Sequence, residues 1–121
     1  MMDAPGRMAP KAATWRLCLA PLIWAAHFLA IYAFTALACA RKGTGGWFDL
    51  ASVPWFIGGA TLLAAAILLV TIAVAIRAGR RDTSSTGAST FVHWLTAAIA
   101  ALVLLAVVWE TLPLIWVPVC G

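Results

Sequence analysis

Charge is what this sequence has least of. Lysine, arginine, aspartate and glutamate make up 10% of its 121 residues, against about 25% in an ordinary globular protein. There are four acids (Asp3, Asp49, Asp82, Glu110), two histidines (His27, His93) and three cysteines (Cys18, Cys39, Cys120). No C-x-x-C or C-x-x-C-H occurs, nor a phosphate-binding glycine loop, nor H-E-x-x-H. These absences exclude dithiol redox chemistry, covalent haem attachment, nucleoside-triphosphate hydrolysis and zinc peptidase chemistry as such motifs would announce them. The cysteines are too far apart in sequence for a local metal knuckle, and nothing sets a nucleophile beside a base. The connecting stretches are short, so these residues hold no soluble catalytic domain. The reading is of a non-catalytic chain.

What the sequence has instead is apolar length. Hydrophobic residues make up 64% of it, more than a soluble domain of this size can hide from water. The stretch Leu17–Ala40 carries no formal charge and exceeds the roughly 20 residues that cross a ~30 Å hydrocarbon core. Two further runs, about 54–76 and 91–110, read the same way. The fold class expected is all-α: an integral membrane domain over residues 1–121, with three transmembrane helices arranged up-down-up. Residues 1–16 form a basic lead-in, where Asp3, Pro5, Gly6 and Pro10 argue against a stable helix. Residues 111–121 form an exterior tail, with Pro113 disturbing the third helix. A basic lead-in before an apolar run also describes a signal peptide, but this run is too long for one.

The net charge of +4 does not point to nucleic acid, because the basic residues flank the apolar runs. Arg7, Lys11, Arg16, Arg77, Arg80 and Arg81 lie in the lead-in and second loop; only Arg41 and Lys42 lie in the first. The positive-inside rule puts the N-terminus in the cytoplasm and the C-terminus outside. Trp15, Trp55, Trp109 and Trp116 read as interfacial aromatics.

A few polar groups interrupt the apolar runs. His27 lies deep in the first span, roughly 15 Å along it. An ionisable residue at that depth is a functional candidate. It is either a cofactor-binding residue (a haem or metal ligand, or a group near a quinone) or a neutral imidazole bonded to a neighbouring helix or subunit. His93, at the start of the third span beside Trp94, is too far along the membrane normal to share one haem iron with His27. Glu110, on the stripe of Val103 and Ala106, reads as an interfacial carboxylate; the alternatives are the start of a proton path or a partner for Arg41 or Lys42. On the second span Ala60, Ala64, Thr71 and Ala75 fall on one stripe, which suits close helix packing or merely reflects an alanine-rich chain; Gly58 and Gly59 add to the first possibility. Because the first and third helices are parallel, Cys39 and Cys120 share the outer face, and a disulfide between them is expected in an oxidising compartment. Two unbonded apolar cysteines are the alternative. Cys18 lies at the opposite end.

The run Pro21-Leu22-Ile23-Trp24-Ala25-Ala26-His27-Phe28, continued by Tyr32 and Cys39, has the pattern W-x-x-H-F-x-x-x-Y-x-x-x-x-x-x-C. With the ending Pro118-Val119-Cys120 it resembles small three-helix proteins encoded beside haem–copper oxidase subunits or their assembly factors in proteobacterial respiratory gene clusters. The match covers the first span and the tail. It implies an accessory or assembly-associated subunit in the bacterial inner membrane, with the lipid bilayer and larger membrane subunits as partners, and it brings no catalytic residues. Two other classes stay open: a membrane anchor holding quinone or a haem b shared with a partner subunit, and a small oligomeric channel or transporter. The last lacks a polar pathway, since the third span is apolar from Ala97 to Val108.

Overall fold

The computed structural model describes residues 9–83 and 87–121. Most of the lead-in, including Asp3, Pro5, Gly6 and Arg7, and the serine–threonine centre of the second loop lie outside the described residues. The protein is all-α. Three long helices pack together: α1 (Pro10–Ala40), α2 (Val53–Arg81) and α3 (Ala88–Trp116). One turn of 3-10 helix, Leu50–Ser52, leads into α2. Each is long and apolar enough to cross a membrane. At ~1.5 Å per residue each exceeds 40 Å, so the helices outrun the apolar stretches that define the spans.

That extension corrects several expectations. Pro10 does not oppose a helix; it sits at the start of α1, where its missing N–H has no partner to lose. Pro21 is consequently deep inside α1, and the Leu17 carbonyl gets no i+4 donor. Arg77, Arg80 and Arg81 belong to α2 rather than to a loop. Pro113 does not end α3, which continues to Trp116. The N-cap position of α3 is Gly87, at φ +65°, and Ser89 lies inside the helix. Ser89 instead donates its hydroxyl to the Asp82 carboxylate just after α2. Asp49 accepts from the Leu50 N–H at 2.7 Å, so it caps the 3-10 turn.

Lipid is as apolar as leucine, so packing in it rests on close fit and polar ties. At the centre each helix offers an alanine: Ala20, Ala64 and Ala100, buried with Leu68 and Val107. The buried stripe of α2 is Val53, Ile57, Ala64, Leu68, Ala75 and Gly79. Ala60 and Thr71 flank it half-buried, and the Thr71 hydroxyl turns back to its own helix at Ile67. Gly58 and Gly59 face open space, since a Cβ at either would meet nothing within 4 Å. The glycine that does serve packing is Gly79, where a Cβ would stand 3.2 Å from Trp94 Nε1 and 3.4 Å from His93 Cβ. Gly79→Leu is therefore expected to destabilise the α2–α3 contact by about 1–3 kcal/mol, and Gly79→Ala by less. Thermal unfolding in mild detergent checks this; an unchanged midpoint for the leucine variant would mean that α2 and α3 do not meet there.

At the other end Cys39 and Cys120 form a disulfide, with Cα atoms 5.7 Å apart. It fastens the tail beyond α3 to the end of α1. Val119 then packs on Ile31, Ala38, Val53 and Ile57. Phe34 stacks on Phe56 and leans on Phe48, closing the loop side of the same end. Arg41 lies over the Phe48 ring at 5.6 Å. Cys18 is unbonded and exposed.

Candidate functional site

His27 is buried, with 5% of its surface exposed, and it meets both other helices. Its Nδ1 lies 3.1 Å from Glu110 Oε1 on α3. Its Nε2 lies 3.1 Å from Thr61 Oγ1 on α2. Trp24, one turn earlier on α1, donates its indole N–H to Glu110 Oε2 at 3.2 Å. Thr61 and Thr111 hydroxyls are 3.3 Å apart, and Thr111 donates to the Val107 carbonyl at 2.7 Å. One continuous polar cluster thus joins all three helices.

Glu110 is the residue that sequence reasoning misplaced. With the third span ending at about residue 110 it read as an interfacial acid for Arg41 or Lys42. With α3 running to Trp116 it stands about 9 Å inside the helix end. Its stripe is Val103, Val107 and Leu114 rather than Val103 and Ala106: Val107 is buried, and Ala106 is exposed. Thr61 lies about 12 Å along α2 from Val53, so the cluster sits between the midplane and the disulfide end. A signal for it was present. Counting back from Cys39 to His27 and from Cys120 to Glu110 covers nearly the same number of residues, so a disulfide between parallel helices sets the two at one depth.

Counting donors fixes where the hydrogens lie. The one Thr111 hydroxyl hydrogen goes to Val107, so Thr111 accepts from Thr61. Thr61 then accepts from His27 Nε2, which must carry a hydrogen. On the other side, Nδ1 and Glu110 Oε1 share one hydrogen across 3.1 Å. Every contact is satisfied when the pair has net charge zero, as imidazolium with carboxylate or as neutral imidazole with carboxylic acid. Both ring nitrogens are occupied in either satisfied state.

The Glu110 side chain is 26% exposed and faces a cleft of about 180 Å³ lined by Phe28, Ile31, Tyr32, Thr35 and Leu114. Trp24, Phe28 and Tyr32 form a ladder of rings up the outer face of α1, with centroids 6.0 and 6.4 Å apart.

A second tie lies at the opposite end. His93 is buried on α3 rather than paired with Trp94 at an interface, and its Nδ1 is 3.1 Å from Arg16 Nη1 on α1. A guanidinium only donates, so this Nδ1 accepts and the ring hydrogen is on Nε2. The alanine-lined core separates the two ties, and among the described residues no polar path links them. No three His, Cys, Asp or Glu side chains converge on a metal position among the described residues.

Comparison with known proteins finds no matching family model, no matching curated protein and no matching solved structure.

Proposed function

We propose that this chain is a non-catalytic accessory subunit of a larger membrane respiratory complex, a terminal oxidase of the haem–copper kind. The observation that carries this reading is the engagement of both His27 nitrogens by Glu110 and Thr61 of the same chain. A haem ligand needs a free ring nitrogen, and a structural tie does not. The histidine in the resemblance pattern then serves to hold α1, and the pattern's Trp24, Phe28 and Tyr32 are left on the outward face of the helix that is least buried by its own neighbours. That face suits a subunit packed beside a larger core. The apolar layer between the two polar ties speaks against a channel.

The test is a mild-detergent pull-down of the tagged chain with its companions identified. Oxidase subunits or their assembly factors support the reading, and recovery of the chain alone or with unrelated proteins would remove it. The alternative, an anchor for a dehydrogenase that holds haem b or quinone, has one observation in its favour: the cleft beside Glu110 and Tyr32. Recovery with dehydrogenase subunits and a bound quinone would favour it.

The orientation proposed is N-terminus cytoplasmic and C-terminus periplasmic. The basic count supports it, and so does a disulfide at the end opposite Arg77, Arg80 and Arg81. A phosphatase reporter fused after Gly121 is expected to be active, because it needs the oxidising exterior. An inactive phosphatase there, with a cytoplasmic reporter active in its place, would reverse the orientation.

A further inference from the structure

We propose that the crevice among the three helices at the Arg16 end binds an anionic phospholipid, with the headgroup phosphate at Arg16 and one acyl chain along the apolar wall. This does not depend on the respiratory role. The crevice encloses about 300 Å³ and is lined by Trp15, Arg16, Leu19, Val70, Val74 and His93, among others. Its two halves differ in chemistry. One end holds the guanidinium and a histidine whose Nδ1 is committed to Arg16, so that Nε2–H is a donor. The rest is aliphatic.

Charge argues for the occupant. The described contact of Arg16 is with the His93 ring and not with a carboxylate, so Arg16 keeps its positive charge and faces a neutral imidazole. Lys11, Arg77, Arg80 and Arg81 stand at the same end of the bundle, because Arg16 touches His93 and His93 packs at Gly79. The described acid at that end, Asp82, already accepts from Ser89. A basic pocket between membrane helices attracts anionic headgroups, and planar guanidinium donors match phosphate oxygens. Free phosphate would leave Leu19, Val70 and Val74 without a partner, whereas a phospholipid satisfies both halves. Trp15 at the rim is placed as an interfacial aromatic would be.

The test uses the full chain, purified in mild detergent and stripped of lipid, with bound lipid counted by native mass spectrometry. Phosphatidylglycerol is expected to be retained, and phosphatidylcholine to bind about fivefold or more weakly. Sodium phosphate should not displace the bound lipid. Arg16→Gln should lose a similar factor, while Arg81→Gln, which removes the same charge outside the crevice, should change little. Val74→Trp leaves the net charge alone and alters an outward-facing residue, so it blocks the wall without disturbing the core; it too should lose retention. Equal binding of the two lipids, displacement by phosphate, undiminished retention in Arg16→Gln or Val74→Trp, or an equal loss in Arg81→Gln would each overturn the proposal.

Discussion

Replacing His27 with leucine is expected to cost about 2–4 kcal/mol of bundle stability. The change removes the contacts to Glu110 and Thr61. Interhelical hydrogen bonds in membranes average about 0.6 and reach about 1.7 kcal/mol each. The larger part of the loss is Glu110, which stays largely enclosed with only Trp24 as a donor; breaking a buried pair from one side is worse than never having it. Adding Glu110→Leu to the same chain should therefore recover much of the loss. Thermal unfolding followed by tryptophan emission, with Trp24 inside the cluster, measures the four members of this double-mutant cycle. Strictly additive losses would mean that the two residues do not act together. The single variant should still insert, because leucine favours lipid, but it should assemble less well with the larger subunits proposed above.

Removing the disulfide is the second large perturbation. Cys39 and Cys120 are 81 residues apart, and the chain-entropy account gives about 4 kcal/mol for closing such a loop. Lipid already tethers the helices, so about 2–4 kcal/mol is expected for the pair Cys39→Ala and Cys120→Ala. The tail would no longer hold Val119 over Ala38 and Val53, which are fully buried. In a digest made without reductant, the Cys39 and Cys120 peptides should run as one mass and Cys18 alone should be alkylated. Separate, alkylated Cys39 and Cys120 peptides would show that the bond is not made.

The apolar runs carried the three helices legibly, because lipid imposes its length on any sequence that crosses it. Helix ends were less legible. Pro10, Pro113 and the arginines after Ile76 all look like stops when read locally. Yet Pro10 suits a first turn, Pro113 lies exposed within the last turns of α3 without ending it, and arginines continue a helix into the headgroup layer. Those ends decided the site. Shortening α3 by a few residues moved Glu110 from the polar cluster to the membrane surface and left His27 with no visible partner. The disulfide was legible from parallel helices alone, and with it the register that brings His27 to Glu110. The pairing of Arg16 with His93 was not legible, since it depends on the rotation of α1, and no stripe on that mostly apolar helix announces it.

The central claim is that His27 ties helices together and ligates no iron. The most direct measurement is the haem content of the proposed complex, purified through this chain with His27 changed to glutamine. Glutamine keeps a donor and an acceptor for Thr61 and Glu110 but cannot serve as an axial haem ligand. The account predicts that the variant assembles and that its haem b absorbance per protein equals that of the parent. A variant that assembles normally but loses a haem b band would contradict it.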